Sequence, residues 1–370
     1  STSHSDSSTD NDIYARVFSP TGSPVTAGEI VVSNNNPWYD SGPQISQLSN
    51  GGFVVTWYAD RADDGSLDGN IYARVYNAAG TAVTAEITVS PENTIYDYLP
   101  EVTVLTGGRF AITWSGNNGE LYARVYEANG GAVSSLTVVN PVDAITDNSP
   151  KIAALAGGGF AVSWYAARTA AGGSDADQNV FVRLFDVNGL PVGGPIQVNL
   201  DNSESDTEPQ IVALPNGGFA VSWTVLSGSD ELAQIRFFNG QGVPSGIPVS
   251  LGSAEFQSPA NGSDIRNFDL AVDSTNAVAA VAEVYDSSYG STGIATAIAR
   301  PAAVANGDED TAIVLPAVTT ALTDLDGSET LALAVSAIPA GATLADGAGG
   351  HSFTASSGNT TVNITGWTLS

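Results

Sequence analysis

The sequence lacks several residue types, and each absence excludes a class of chemistry. No cysteine occurs in the 370 residues, which excludes disulfides, thiolate metal sites and a cysteine nucleophile. No methionine occurs either, so Ser1 is not a translation start, and we expect a processed product or a piece of a longer chain. The only two histidines, His4 and His351, stand beside no plausible nucleophile and have no metal-ligand spacing.

Basic residues are scarce as well, and this limits the partners that the chain attracts. Eleven Lys and Arg stand against 39 Asp and Glu, for a formal net charge of −28. Such a surface repels nucleic-acid phosphates and anionic membranes, and it attracts cations that take oxygen ligands. No apolar run approaches the roughly 20 residues of a membrane span, and no signal peptide is visible. We therefore expect no nucleic-acid partner and no direct membrane insertion.

What the sequence does contain is an internal repeat, which constrains the architecture before any local prediction. The phrase Leu-x-x-Gly-Gly-Phe, or a close variant, is followed by alternating small apolar residues and in four copies by a tryptophan. The copies align on Phe53, Phe110, Phe160, Phe219 and, in a degenerate fifth copy, Val278, at spacings of 57, 50, 59 and 59 residues.

Each unit reads as four short antiparallel strands. A first strand such as 43–48 leads through a glycine turn into a second strand such as 53–57, and Asn50-Gly51 is a strong hairpin signal. A loop of variable length leads to a third strand such as 71–76, and a second glycine turn to a fourth such as 86–89. The second strand is apolar on both faces, so it must be covered on both sides. Units of this kind, packed between like neighbours, predict propeller blades.

The ends of the repeat region decide whether the ring closes. Residues 13–18 and 29–33 read as a third and fourth strand without a first and second, and the fifth unit lacks a convincing fourth strand. Joining these halves would complete a fifth blade, which is the preferred interpretation. Residues 294–300, however, resemble another third strand, so the N-terminal pair could instead end a blade that was cut off.

The predicted fold is therefore all-β, with a β-propeller of about five four-stranded blades over residues 1–300 and a partial Ig- or cadherin-like β-sandwich over 301–370. The repeat units lie near 13–33, 43–89, 99–139, 149–199, 207–250 and 266–300.

Two charged positions recur in the units. One position of the third strand is an arginine in six copies, and it accounts for six of the eleven basic residues: Arg16, Arg74, Arg124, Arg183, Arg236 and Arg300. An aspartate three residues before a proline opens the first strand: Asp40, Asp97, Asp147 and Asp206. They could form a ligand-binding ring, but the favoured interpretation is an Arg–Asp pair that fixes each connecting loop. The repeated tryptophans are likewise expected in the core between blades rather than as sugar-stacking platforms.

Recognition is expected in the loops, which vary between units on a rigid scaffold. The segment 34–39 carries Trp38 and Tyr39 outside the repeat positions, as candidate exposed aromatics. The acidic loop 60–68 adds Asp63, Asp64 and Asp68, which could hold Ca²⁺ or remain solvated. These five residues are the predicted ligand-binding set.

Residues 301–370 depart from the repeat. The acidic clusters Asn306-Gly307-Asp308-Glu309-Asp310 and Asp324-Leu325-Asp326-Gly327-Ser328-Glu329 resemble those of Ig-like or cadherin-like modules in large bacterial RTX adhesins secreted by type I systems. The resemblance implies structural Ca²⁺ held by Asp308, Asp310, Asp324, Asp326 and Glu329. The alternative is an Asp-Gly turn with solvated carboxylates. The module stops early, so one or two strands would come from elsewhere.

The leading functional interpretation is not an enzyme. It is a Ca²⁺-stabilised adhesion module of a secreted bacterial cell-surface protein, of the kind found in biofilms, that binds a glycan or a cell-surface protein. One alternative is a structural subunit of an extracellular filament or surface layer, completed by neighbouring copies. Another is a glycoside-active propeller enzyme, because carboxylate pairs abound and residue type alone does not exclude a glycosidase.

Overall fold

A computed structural model describes most of the repeat region and a few short strands beyond it. The chain divides into two compact units, residues 1–301 and 302–370. The described residues are 11–33, 39–60, 69–91, 95–140, 147–168, 177–200, 204–227, 230–251, 264–286, 291–301, 334–335, 343–345, 352–354, 356 and 362–363.

The first unit is built from antiparallel sheets in which chain order and strand order agree. A two-stranded pair comes first: β1 (Tyr14–Ala15) and β2 (Ile30–Val31). Sheet 1 holds β3 (Tyr39–Gln47), β4 (Phe53–Asp60), β5 (Asn70–Tyr76) and β6 (Ile87–Thr88). Sheet 2 holds β7 (Asp97–Val104), β8 (Phe110–Gly116), β9 (Leu121–Tyr126) and β10 (Thr137–Val138), with a 3-10 turn at Thr106–Gly108.

The remaining sheets repeat this pattern. Sheet 3 holds β11 (Asp147–Ala154), β12 (Phe160–Arg168), β13 (Asp177–Phe185) and β14 (Pro191–Gln197). Sheet 4 holds β15 (Ser205–Ala213), β16 (Phe219–Ser227), β17 (Asp230–Phe238) and β18 (Val249–Ser250). Sheet 5 has three described strands, β19 (Asp264–Val272), β20 (Val278–Asp286) and β21 (Ser291–Ala299).

These sheets confirm an all-β protein, and sheets 1 to 4 each have the four antiparallel strands that the repeat predicts. They correct one expectation about the ends of the repeat. Strand β20 pairs with β21 over nine residues, from Val278 opposite Ala299 to Asp286 opposite Ser291. Residues 291–299 therefore fill the third place in sheet 5, and the expected joining of the N-terminal pair at that place is wrong.

The second unit contributes two short antiparallel pairs among its described residues. Strand β22 (Ala334–Val335) pairs with β25 (Val362–Asn363), and β23 (Thr343–Ala345) pairs with β24 (Ser352–Thr354). The acidic residues predicted to hold calcium lie outside the described residues.

The core of the first unit lies between successive sheets. The tryptophans that end the second strands are at most 1% exposed: Trp57, Trp114, Trp164 and Trp223. One core cluster joins Val180 and Val182 of sheet 3 to Phe219 and Trp223 of sheet 4. The repeated aromatics are therefore core residues, as the two apolar faces of the second strand predict.

The first strand of each sheet packs against the first strand of the next. Contacts run from β3 to β7, from β7 to β11, from β11 to β15 and from β15 to β19. The short fourth strands, such as β6 and β18, stand at the opposite edge of their sheets. The first strands thus line the inner side of the repeat region, and this places the site described next.

Candidate functional site

The repeated aspartates are buried structural acceptors. Three of the four accept a hydrogen bond from the tryptophan of their own sheet: Trp57 Nε1 to Asp40 at 3.1 Å, Trp164 Nε1 to Asp147 at 2.7 Å and Trp223 Nε1 to Asp206 at 2.6 Å. In sheet 4 the second carboxylate oxygen accepts from Asn199 Nδ2, at the end of sheet 3, at 2.7 Å. Asp147 accepts in the same way from Asn140, so these two aspartates tie their own second strands to the preceding sheet.

The repeated arginines bind main-chain carbonyls of the preceding sheet. Arg74 Nη1 donates to the carbonyl of Val32, Arg183 Nη1 to that of Val139 and Arg236 Nη1 to that of Val198, each at 2.8 Å. The guanidinium also lies over the aromatic ring two residues later, as Arg236 does over Phe238 at 5.8 Å. Between described residues, this replaces the expected Arg–Asp pair with separate Asp–Trp and Arg–carbonyl contacts, and the ligand-binding charge ring does not form.

Sheet 2 differs from sheets 3 and 4 at this junction. Ser90 takes the place that Asn140 and Asn199 occupy elsewhere, and Asp97 is 1% exposed. Burial raises the pKa of Asp97 to about 6, and Ser90 and Trp114 oppose that rise. A shorter side chain at position 90 therefore leaves this carboxylate poorly compensated.

Every first strand is interrupted by a bulge, which lies opposite the tryptophan in sheets 1 to 4 and opposite Ala282 in sheet 5. The register shifts between Ser41 and Gln44 in sheet 1, and the equivalent shift recurs in the other four sheets. The first bulge residue has a positive φ in four of them: Gly42 at 59°, Leu99 at 51°, Ser149 at 52° and Glu208 at 50°. A proline follows each of the four. A positive φ at a non-glycine residue is uncommon, and such strain concentrates at functional sites.

The residue after each bulge forms what we term the inner ring. Its members occupy one repeat position on the first strands, and all are polar: Gln44, Glu101, Lys151, Gln210 and Asp269. Lys151 is the sole lysine of the whole chain, the other ten basic residues being arginines. We term the repeated aspartates, tryptophans and arginines the framework. Each framework position repeats one residue type, whereas the residue and the charge at the inner-ring position change from sheet to sheet.

Two inner-ring residues are in direct contact across neighbouring sheets. Lys151 Nζ donates to Glu101 Oε1 in an ion pair whose side chains are 30% and 18% exposed. Burial raises the pKa of Glu101, Lys151 opposes this, and the negative charge of Asp269 adds to the rise. The environments of the two carboxyl groups differ, because Glu101 is largely buried whereas Asp269 is exposed to solvent.

A cavity of about 380 Å³ opens at the inner ring. Inner-ring residues Lys151, Gln210 and Asp269 line it, together with the bulge residues Ser149 and Glu208. Its walls hold hydrogen-bond donors, acceptors and carboxylates within one concave space. Such a combination is typical of a site for a small polar ligand or a segment of a polymer.

Of the five residues predicted to bind a ligand, Tyr39 is among the described residues. Tyr39 is 52% exposed at the start of β3, beside a second cavity of about 440 Å³ near the N-terminal pair. Trp38, Asp63, Asp64 and Asp68 lie outside the described residues. Over the ranges that the structure describes, no group of three or more acidic or histidine side chains is placed to hold a metal ion. Within those ranges, too, no helix is long and apolar enough to cross a membrane.

Sequence reasoning missed the inner ring although a signal was present. The four prolines that align three residues after the repeated aspartates mark the bulges, and the residue after each proline is the inner-ring position. The single lysine of a very acidic chain falls on that position in the third unit. Neither signal could show that these side chains meet, because that depends on the order of the sheets.

Comparison with known proteins gives fold likeness only. No protein-family model matches the sequence, and no curated protein is similar to it. Two solved structures have a TM-score of 0.49: a protein of unknown function from Dyadobacter fermentans, 12% identical over 74% of this chain and 82% of its own, and an α-L-arabinofuranosidase from Fusarium graminearum, 14% identical over 74% and 81%. An α-L-arabinanase from Penicillium chrysogenum, complexed with arabinobiose, has a TM-score of 0.47 at 12% identity over 80% and 87%.

These neighbours correct the functional expectation. Several are named as arabinanases or arabinofuranosidases, which does not agree with the expected non-enzymatic adhesion module. The expectation that the chain is not an enzyme is overturned with it. At 9–14% identity the likeness concerns the fold, so any activity has to rest on this chain's own side chains.

Proposed function

We propose that residues 1–301 form a β-propeller, with the five sheets as blades, that hydrolyses glycosidic bonds at the inner ring. The observation that carries this proposal is that two carboxyl groups in unlike environments, the more buried Glu101 and the exposed Asp269, occupy the same repeat position on the inner ring. Asp269 lines a cavity of about 380 Å³, and Glu101 bonds to Lys151, another residue of its lining. Most glycoside hydrolases use two carboxyl groups, one protonated and one ionised, on either side of the bond that is cleaved.

Glu101 suits the role of general acid. It sits in the more buried environment, which favours the protonated form that can donate to the leaving-group oxygen. Lys151 holds one of its oxygens and fixes its orientation. Lys151 also opposes the rise that burial causes in the Glu101 pKa.

Asp269 suits the role of the second carboxylate. It is exposed, and its Oδ1 accepts a hydrogen bond from the backbone N–H of Leu270 at 2.8 Å, which holds the carboxyl group in one orientation. An ionised carboxylate on the other side of the sugar can activate water or attack the anomeric carbon. Ser149, Gln210 and Glu208 line the remainder of the cavity and offer partners for sugar hydroxyls.

Hydrolysis is tested with purified full-length chain and a panel of polysaccharides that includes arabinan, xylan and mixed β-glucan. The expected result is release of reducing ends by the wild type and a loss of about 100-fold or more in Glu101→Gln and Asp269→Asn. Glu127→Gln is the matched control. Glu127 lies in the turn after β9, where it pairs with Arg109, and the variant should keep full activity. No release from any polymer, or equal rates in wild type and Glu101→Gln, would overturn the proposal.

Calcium stabilisation, secretion and an Ig- or cadherin-like module at 302–370 remain predictions from the sequence. They are compatible with a glycan-degrading protein outside the cell. The expected measurement is a rise in melting temperature on adding Ca²⁺ to EDTA-treated protein, because a ligand that binds the folded state stabilises it. An unchanged melting curve would contradict calcium stabilisation and would have no bearing on the proposed hydrolysis at the inner ring.

A further inference from the structure

Five tyrosines lie close together where the first strands of sheets 1 to 3 begin. The rings of Tyr58 and Tyr96 are 6.3 Å apart, edge to face, and those of Tyr96 and Tyr98 are 6.0 Å apart. Tyr39 is near enough to Tyr96, and Tyr165 to Tyr98, to raise their pKa values, although burial is the larger cause in both cases. We term these five residues the tyrosine row.

The tyrosine row rests on a rigid base. Tyr96 packs on Gly69 so closely that a Cβ there would approach its ring to 2.7 Å, and Tyr58 packs on Gly42 in the same way at 2.8 Å. The backbone N–H of Tyr96 donates to Asn117 Oδ1 at 3.1 Å, and its carbonyl accepts from the N–H of Asn117 at 2.9 Å. One face of Tyr58 and one of Tyr96 are thus supported by backbone, and Tyr58 and Tyr165 also pack against core clusters. Tyr39 is 52% exposed, and the other four are half-buried.

The repeat does not require these rings. Equivalent positions in other units hold small polar residues, which pack against the same framework: Ser115 and Thr224 match Tyr58, Ser41 and Thr207 match Tyr98, and Ser205 matches Tyr96. Among the described residues at these three repeat positions, tyrosines occur on the neighbouring sheets 1, 2 and 3. A role in packing between blades would be expected in every sheet, so the tyrosine row has a local purpose.

The tyrosine row is continuous with the inner ring. Tyr98 immediately precedes the bulge of β7, and the residue after that bulge is Glu101. Tyr165 stands opposite Asn148, which immediately precedes the bulge of β11, whose residues Ser149 and Lys151 line the inner cavity. A polymer lying in the cavity can therefore continue over the tyrosines.

We propose that the tyrosine row binds an uncharged linear polysaccharide whose chain runs on into the inner cavity. The inference rests on the proposed hydrolytic function, since it places the extended substrate of the same site. Tyrosine presents an apolar face to the C–H face of a sugar ring and a hydroxyl to its polar edge. Anionic polymers are excluded by charge, because the chain carries a net charge of −28 and acidic residues line the cavity.

Affinity electrophoresis separates binding from cleavage when it is carried out in the Glu101→Gln background. Native gels are cast with arabinan, xylan, mixed β-glucan or, as the anionic probe, polygalacturonate. We expect at least one neutral polymer to retard the protein, and the double variant Tyr96→Ala/Tyr98→Ala to bind it about tenfold more weakly, which corresponds to 1.4 kcal/mol.

Two further variants keep the test decisive if the alanine variant folds poorly. Tyr96→Phe/Tyr98→Phe keeps both rings and should bind within about threefold of the parent. Phe18→Ala removes an aromatic ring that is 55% exposed on the N-terminal pair, and it should bind like the parent. Equal retardation of parent and alanine variant, stronger binding of polygalacturonate, or no retardation by any neutral polymer would each overturn the inference. Hydrolysis assays on the wild type decide the proposed function independently.

Discussion

The framework between sheets and the inner ring occupy the same repeat units but follow opposite rules. At the framework the same residue types recur, with an aspartate bound to a tryptophan and an arginine bound to a carbonyl of the preceding sheet. At the inner ring the residue changes in nearly every unit, from amide to carboxylate to ammonium. Equivalent interfaces between sheets can be packed by the same residues in every unit, whereas a catalytic site needs different functional groups close together.

The sheet 2 junction shows how far the framework tolerates change. Sheets 3 and 4 surround their aspartates with an indole N–H and an asparagine amide, as at Asp206, whereas sheet 2 offers a serine to Asp97. The carboxylate remains fully buried with weaker compensation. The protein can therefore fold with a destabilising charge at one framework position, and this allows Asp97 to be compared with Asp206.

The largest expected effect comes from removing a framework tryptophan. Trp223→Ala deletes a fully buried side chain and the donor to Asp206, so we expect the free energy of unfolding to fall by about 3–5 kcal/mol. Urea denaturation followed by circular dichroism measures this. Gln210→Ala, on the inner ring of the same sheet, is the paired control. A loss below about 1 kcal/mol for Trp223→Ala would contradict the division between framework and site.

The next effect is a difference of sign between two aspartates. Asp206→Asn places an amide N–H₂ against donors of Asn199 and Trp223, and should cost about 1–3 kcal/mol. Asp97→Asn removes a poorly compensated charge, and should stabilise the protein at pH 7.5 by about 1–2 kcal/mol after allowance for solvent screening. A shift of the urea midpoint in the same direction for both variants would show that the junctions of sheets 2 and 4 do not differ in this way.

The effect of Asp97 depends on pH in a predictable direction. Its pKa is about 6 in the folded protein against an ordinary value of 3.8, so the folded state holds its proton more tightly than the unfolded state. The contribution of Asp97 to the free energy of unfolding is therefore fully present below pH 3.8, and it is lost as the pH rises through 6. The gain from Asp97→Asn should therefore shrink between pH 7.5 and pH 4, and a gain that is constant over this range would contradict the assignment.

The smallest effect on stability is expected at the inner ring. Gln210 lines a cavity and is only partly buried, so Gln210→Ala should change the free energy of unfolding by no more than about 0.5 kcal/mol. The same variant should weaken substrate binding, since it removes a partner for sugar hydroxyls. A stability loss comparable with that of Trp223→Ala would move the inner ring into the framework.

The sequence predicted much of the framework because its signals are local. The phrase around Phe53 and Trp57 is apolar on both faces, which forces a covered strand, and Asn50-Gly51 marks the hairpin before it. The expected Arg–Asp pairing was wrong. Opposite charges suggest that Asp206 and Arg236 bind each other, but Asp206 binds the indole N–H of Trp223 and Arg236 binds the main-chain carbonyl of Val198. The inner ring was missed since Glu101 and Lys151 are fifty residues apart and meet only after the sheets stack.

The account's central claim is that the inner ring is a catalytic site and that the framework only supports it. The most direct measurement is the pH profile of kcat/KM for reducing-end release, with melting temperatures, for the wild type and Glu101→Gln. We predict activity that falls as the pH rises through the Glu101 pKa, and a Glu101→Gln variant that melts within a few degrees of the wild type but loses about 100-fold or more in kcat/KM. A folded Glu101→Gln variant with full activity, or a wild type that cleaves no glycan, would contradict the claim.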